Sequence, residues 1–254
     1  MLEPERVKSI REKVREIEAE TLQDLLPGEK EEETSFLRTA GLLRIDPMFW
    51  EIPIQPKVNQ VIESALGPDF LLSTFSGIDL KPSQATIQPL HPDDALIPLG
   101  RPRERPIGCT AMFVITTFNS HTGGTRLLPG SHRDGLDLLW SQDEEKLAQV
   151  IQPELEPGSV LIFDHALFHG AADNHSDEWR LGLQVSYHAG WIRPYTNWLR
   201  SIPVEEAAKF PEKLTDLLGY KTCNGIGSAN VPPGSYRESY TGRRAKRNPR
   251  ILLR

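Results

Sequence analysis

From Leu71 onward the chain is cut into short apolar segments that proline and glycine keep from merging. Residues 71–78, 85–90, 109–118, 160–163 and 181–187 are rich in apolar, threonine or aromatic side chains, and Lys81-Pro82, Gly123-Gly124, Pro129-Gly130 and Pro157-Gly158 separate them. Short β-prone runs bounded by turn residues predict strands. Many short strands behind one or two helices suggest a jelly roll or related barrel with helical packing on its N-terminal side. The expected class is mainly β with flanking helices.

The helices are expected where the apolar period changes. Val7, Ile10, Val14 and Ile17 recur at helical spacing, which predicts an amphipathic first helix ending near Pro27-Gly28, before a solvated acidic stretch at 29–33. A second helix is expected over 56–66, with Pro56 in its first turn, Val58, Val61, Ile62 and Ala65 as its stripe and Gly67 as its stop. Ser141 and Glu144 form a capping-box start for a helix running to about Val150. After Tyr195 the pattern is helical again, over 205–210 and 212–218, with Gly219 as a cap. Beyond Asn224 the chain is rich in glycine, proline and serine and then basic, with Arg243, Arg244, Lys246, Arg247, Arg250 and Arg254. A tail packing on an acidic body is favoured there over a nucleic-acid contact. The whole reads as one domain, 1–254: helical support at 1–67, a strand-rich core at 68–198, and helices with a basic tail at 199–254.

Composition narrows the function classes. The 254 residues are 38% hydrophobic and 25% charged, and suffice for one sizeable core. A formal charge of −6 gives no general attraction to nucleic acid or to an anionic membrane. Two cysteines, Cys109 and Cys223, are too few for a disulfide framework or a cysteine-rich zinc module. The charged N-terminus lacks a signal-peptide apolar stretch, and no apolar run approaches the roughly 18–20 residues of a membrane span. A soluble, cytoplasmic protein is the expectation. Its expected partner is a small-molecule substrate, with a homodimer left open, and neither nucleic acid nor membrane.

The chemistry concentrates in Gln88-Pro89-Leu90-His91-Pro92-Asp93-Asp94, where His91 and Asp93 form an H-x-D pair at the end of a predicted strand. A single intervening residue lets both side chains converge on one ion. Far downstream, Phe168-His169-Gly170 supplies another histidine just beyond a second predicted strand. Two imidazoles and one carboxylate on one face of a metal leave the opposite face open, which is the facial triad of iron(II) oxygenases. Taken alone the pattern is short and arises by chance. Arg180 gives it weight, because it falls eleven residues after His169 at the start of the next predicted strand. A planar guanidinium there suits the far carboxylate of 2-oxoglutarate. The competing reading is a surface arginine paired with Asp177 or Glu178.

With these residues in place the chain resembles the phytanoyl-CoA dioxygenase family. The likeness runs through His91-Pro92-Asp93-Asp94, Gly124-Thr125-Arg126-Leu127-Leu128-Pro129-Gly130-Ser131-His132, Phe168-His169-Gly170-Ala171, Arg180, and Ala189-Gly190-Trp191-Ile192-Arg193-Pro194, covering about residues 36–198. It implies a double-stranded β-helix (a distorted, cupin-like jelly roll) with Fe(II) held by His91, Asp93 and His169. It also implies that Arg180 binds the co-substrate 2-oxoglutarate, with Gln88 and Thr125 matching positions that contact the oxo-acid, and that O2 is the oxidant. Related halogenases replace the metal-binding carboxylate with a small residue; Asp93 is present, so oxygen chemistry is expected.

The other candidates are read more plainly. His132 follows a turn motif and is expected to be structural, His165 is expected in a loop near the pocket, and His121, His175 and His188 have no evident partners. Phe75, Met112, Phe168 and Trp191 flank the metal motifs and are the candidate substrate-pocket residues, with core packing as the alternative for each. Apolar and aromatic walls would suit a hydrophobic natural product or an acyl chain. Arg101, Arg103 and Arg105 are read as a basic patch or a lid. The expected activity is hydroxylation, desaturation or ring formation on such a substrate. The rivals are a non-catalytic metal-binding jelly roll and a cupin-type enzyme that needs no oxo-acid.

Overall fold

The computed structural model describes residues 2–23, 36–83, 87–135 and 144–227. The expected end of the first helix, the acidic stretch at 29–33, the Ser141 cap and the basic tail past residue 227 lie outside these residues. The first helix, α1 (Pro4–Gln23), buries Val7, Ile10, Val14 and Ile17, the side chains its period picks out. It is followed by β1 (Phe36–Thr39), the short α2 (Leu42–Ile45) and α3 (Pro56–Leu66). α3 starts at Pro56, where the Gln55 side chain accepts from the Lys57 N–H, and ends at Gly67 with φ of 89°. Its buried face is Val58, Asn59 and Ile62, whereas Val61 is exposed, so the stripe is narrower than expected.

The strands that follow are β2 (Leu71–Leu80), β3 (Gly108–Val114), β4 (Thr125–Leu127), β5 (Val160–Asp164), β6 (His169–Ala171) and β7 (Arg180–His188), with α4 (Glu144–Leu147) between β4 and β5. Five of them form an antiparallel sheet in the order β1-β2-β7-β3-β5, and β4 pairs with β6 in a second, smaller sheet. The result is a jelly roll of antiparallel strands that is not closed. No strand forms over the described residues of the expected run at 85–90. Pro89 and Pro92 remove ladder donors there, and pairing occurs instead as an isolated bridge between His91 and His169. β3 stops at Val114 rather than reaching Phe118, because the N–H groups of Ile115 and Thr116 both turn to the Leu181 carbonyl.

The large sheet has two unlike faces. Along β7, Leu181, Leu183, Val185 and Tyr187 point to one side and are fully buried in the main core with Ala111 and Phe113 of β3. Helix α1 and the C-terminal helices α5 (Trp198–Ser201), α6 (Val204–Ala207) and α7 (Glu212–Thr215) supply the covering side chains, among them Ile10, Val14, Trp198, Ala207 and Leu214. Two polar links fasten this layer: Tyr187 Oη donates to the Pro53 carbonyl at 2.8 Å and Trp198 Nε1 to the Leu72 carbonyl at 2.8 Å. Arg180, Gly182, Gln184 and Ser186 alternate with the apolar set and face the other way, as the two-residue period of a strand requires. Among the described residues no helix is long and apolar enough to cross a membrane.

Candidate metal and co-substrate site

The second face of the large sheet and the smaller sheet enclose a cavity of about 320 Å³. His91, Asp93 and His169 all line it, with one ligand atom from each lying within 4.8 Å of the others. The backbone brings the two histidines together. His91 N–H donates to the His169 carbonyl at 2.9 Å and His169 N–H to the His91 carbonyl at 3.0 Å, so residues 78 apart in sequence become direct cross-strand neighbours. Their rings lie 4.7 Å apart. This approach needs a glycine beside it, since a Cβ on Gly170 would lie 2.8 Å from the Gln88 carbonyl oxygen.

Each imidazole is oriented by its own chain. His91 Nδ1 lies 3.0 Å from the Pro89 carbonyl and His169 Nδ1 lies 3.0 Å from the Leu167 carbonyl. A carbonyl oxygen only accepts, so Nδ1 carries the proton in both rings and Nε2 presents its lone pair inward. Metal-binding imidazoles are held in this way. Asp93 Oδ1 lies 3.7 Å from His169 Nε2, while its other oxygen accepts from Thr110 Oγ1 at 2.8 Å. Thr110 in turn meets Ser186 Oγ at 3.0 Å. Tyr195 Oη donates to the Asp93 backbone carbonyl at 2.8 Å.

The electrostatics hold Asp93 and His169 in the protonation states that a metal ligand requires. Burial pushes the Asp93 carboxyl up, but His169, His165, the Thr110 hydroxyl and His91 outweigh it and hold the group below the ordinary carboxylate range. Burial also holds the His169 imidazole below its usual value, against the pull of Asp93, so the ring is neutral near pH 7. His165, read as a loop residue near the pocket, lies just past β5, is fully buried, and sits 4.0 Å from Asp93 behind the triad. Its pKa is pushed down to about 3, chiefly by burial, so it too is neutral. His188 stacks edge-on against it at 5.2 Å. His165 and His188 therefore form a buried aromatic backing that the spacing of histidines in the sequence does not reveal.

Arg180 opens β7 and lines the same cavity at only 3% exposure. Its Nη2 donates to the Gly123 carbonyl at 2.9 Å and its guanidinium lies 4.3 Å from the centre of the Phe118 ring. Among the described residues no carboxylate pairs with it, Nε is buried without a partner, and burial pushes its pKa down to about 10. It is not the surface arginine of the competing reading. A buried guanidinium left without a counter-charge is costly, and a bound anion relieves that cost. Gln88 and Thr125 line the same cavity as the triad and this guanidinium. The Gln88 side-chain oxygen accepts from the Ala171 N–H at 3.0 Å, which commits that end and leaves its amide nitrogen without a hydrogen bond among the described residues.

The four candidate pocket residues divide. Met112 lines the cavity. Phe75 does not: it is 4% exposed and packs in the core on the helix side of the sheet, edge-on to Phe49 at 6.4 Å. Phe168 is wholly buried against Arg101, its side chain turned away from the cavity that the next residue enters. Trp191 is 53% exposed and does not line the cavity. The walls come instead from residues the sequence did not mark, among them Phe36, Ile78, Leu80, Ile87 and Phe163. The arginine loop is also structural. Arg101 and Arg103 both pair with the buried Asp94, and Arg101 Nη1 donates to the Ala166 carbonyl at 3.2 Å, tying the loop beneath the H-x-D segment. The Pro129-Gly130-Ser131 turn serves the same end: Ser131 Oγ accepts from the Phe168 N–H at 2.9 Å, one residue before His169.

Among relatives, the dioxygenase andF of Emericella variicolor is 27% identical over 182 residues, which is 68% of this chain and 61% of that protein. The chain therefore spans less than two thirds of the length of that relative. Among solved structures, AviO1 from Streptomyces viridochromogenes Tue57 superposes with a TM-score of 0.58 at 21% identity, covering 75% of this chain and 86% of AviO1. HygX from Streptomyces hygroscopicus, with nickel and 2-oxoglutarate bound, gives 0.59 at 16% identity, covering 75% of this chain and 81% of HygX. At these identities the two structures establish the fold. The phytanoyl-CoA dioxygenase (PhyH) model matches residues 1–182, helix α1 and every strand through the start of β7, and so the chain belongs to that family.

Proposed function

We propose that this protein is an Fe(II)- and 2-oxoglutarate-dependent dioxygenase that hydroxylates, desaturates or cyclises a small, largely apolar natural product or acyl compound. One observation carries the reading: three metal-type ligands and a buried guanidinium with no counter-ion among the described residues share one cavity. The donor set of two neutral imidazoles and one carboxylate suits iron(II) and leaves coordination positions for a bidentate oxo-acid and dioxygen. Its ligands would be Nε2 of His91 and His169 together with the Asp93 carboxylate.

Each residue then has a task that follows from its position. Arg180 holds the distal carboxylate of 2-oxoglutarate, with two parallel hydrogen bonds favoured by the planar fork. Gln88 and Thr125, which line the same cavity, would offer polar groups to the oxo-acid. Thr110 and Ser186 fix the carboxylate of Asp93, and His165 with His188 closes the rear of the site to water. Met112 and the apolar lining residues seat the substrate's hydrocarbon surface. The oxidation would be supplied by iron(II) held at His91, Asp93 and His169, with dioxygen as oxidant and 2-oxoglutarate converted to succinate and carbon dioxide. No side-chain acid or base is required for removal of a hydrogen atom from carbon, in keeping with a cavity whose charged lining among the described residues is Arg38, Asp93 and Arg180.

Anaerobic titration with Fe(II) and 2-oxoglutarate tests this, followed by the visible charge-transfer absorption that the metal-bound oxo-acid produces. The wild-type protein should develop the band, His169→Ala should abolish it, and Arg180→Ala should require far more 2-oxoglutarate to reach it. If neither replacement alters the band, the assignment fails. Iron binding without succinate release across a substrate panel would instead describe a metal-binding jelly roll without turnover.

A further inference from the structure

The cavity holds a second guanidinium that the scheme above leaves without a role. Arg38 lies on β1, opposite Ile78 of β2, on the face that also carries Met112, Gln184 and Arg180. In the sheet register Phe36 opposes Leu80, which opposes Arg180, so Arg38 stands two residues along β1 from the row that ends in the co-substrate's arginine. Its Nη1 donates to Ser76 Oγ at 3.0 Å and to Gln184 Oε1 at 3.2 Å. Nε and Nη2 make no hydrogen bond among the described residues. The side chain is exposed at the cavity mouth, where solvation alone would satisfy a free arginine. A solvated arginine keeps its rotamer freedom, however, and this one is pinned over the opening by residues of two neighbouring strands.

Charge balance gives the pinning a direction. Among the described residues, Arg38, Arg180 and Asp93 are the charged side chains that line the cavity. With iron(II) and dianionic 2-oxoglutarate bound, metal and co-substrate cancel, Asp93 offsets one guanidinium, and one positive charge remains, at the mouth. Both ends of the oxo-acid are already engaged, one at the metal and one at Arg180. We infer that Arg38, with the Gln184 amide beside it, binds a carboxylate on the primary substrate, so that the substrate is an apolar-bodied monocarboxylic acid. This deepens the oxygenase reading and rests on it. The hydrocarbon part would lie against Phe36, Ile78 and Met112, on the same face as the guanidinium, which fixes the substrate's acid end at the rim and its body toward the metal.

The test is equilibrium binding under anaerobic conditions to the full chain loaded with Fe(II) and saturated with 2-oxoglutarate. The probes are decanoate, adamantane-1-carboxylate and 2-naphthoate, each paired with its methyl ester. For at least one pair the acid should bind ten-fold or more tightly than the ester; Arg38→Gln should erase that preference and Arg38→Lys should retain part of it. The 2-oxoglutarate midpoint, read from the charge-transfer band, should move by less than two-fold in both variants. Equal or undetectable binding of acid and ester across all three pairs overturns the inference. So does a large loss of 2-oxoglutarate affinity in Arg38→Gln, which would place the guanidinium on the co-substrate. If the wild-type protein shows no band at all, the underlying oxygenase reading fails first, and the two failures are thereby told apart.

Discussion

The two faces of the five-stranded sheet are made by the same strands and obey opposite rules. On the helix side, β7 offers Leu181, Leu183, Val185 and Tyr187, all fully buried against apolar side chains from both ends of the chain. On the cavity side the same strand offers Arg180, Gln184 and Ser186, and its neighbour β3 offers Thr110 and Met112. The helix side gathers its polar groups at one end, where Asp79 pairs with Arg15 and Glu18 accepts from Thr39, and the other side keeps a guanidinium with no counter-charge among the described residues. The difference teaches where free energy goes in this fold. The apolar face supplies stability, and on the proposed reading the polar face tolerates instability because its groups are placed for a ligand.

If that division holds, replacements on the two faces should fail in different assays. The largest effect belongs to His169→Ala. On the proposed reading it should abolish iron(II) binding and succinate formation while leaving the thermal transition near that of the metal-free parent, as metal titration and calorimetry would show. Loss of folding instead would mean that the histidine belongs structurally to the core. Arg180→Met comes next and is the more discriminating change. Losing the charged partner of the oxo-acid should weaken 2-oxoglutarate binding by about 2–5 kcal/mol. The ligand-free protein should melt at the same temperature or higher, because a buried unpaired charge has been replaced by an apolar side chain of similar length. A lower melting temperature would show that the Gly123 hydrogen bond and the Phe118 contact stabilise more than the buried charge costs.

How much of this was legible beforehand follows the same two faces. The H-x-D spacing, the downstream histidine and the arginine at the head of a strand could be found in one dimension, because each depends on residue type and local order. The ends of α3 were legible to the residue for the same reason, with proline at its start and glycine at its stop. Parity was not. A register irregularity between Leu72 and Thr74 of β2 puts Leu72 and Phe75, three residues apart, on the same core-facing side. Strict alternation counted from Leu72 sends Phe75 to the wrong side. β1, β4 and β6 are three or four residues long, too short for an alternation to stand out. The bridge between His91 and His169 is a long-range backbone contact with no local signature, and Arg38 lies on a strand 53 residues before His91, with no nearby motif to mark it.

On the stabilising face, Leu183→Ala should destabilise the protein by about 2–5 kcal/mol, because the wholly buried side chain leaves a cavity its packed neighbours cannot fill. Denaturant unfolding measures that loss. The iron and 2-oxoglutarate midpoints of the protein that remains folded should stay put, since Leu183 points away from every proposed ligand. A shift in those midpoints without loss of stability would erase the distinction between the faces.

The smallest expected effect tests the seam where the faces meet. Thr110 is fully buried, yet its hydroxyl spans Asp93 on one side and Ser186 on the other. Thr110→Val keeps the shape and replaces the hydroxyl by a methyl, leaving one carboxylate oxygen of Asp93 without its donor. An outer hydrogen bond of this kind orients a metal ligand, and its loss should weaken iron(II) binding by about 10–100-fold. Thr110→Ser, which retains the hydroxyl, should recover most of the affinity even if the lost methyl costs some stability. A merely structural threonine would give the reverse ranking, with valine harmless to metal binding and serine the worse of the two. Iron titration of the pair, set beside their melting temperatures, therefore decides whether the polar row on β3 and β7 positions the carboxylate or only fills space behind it.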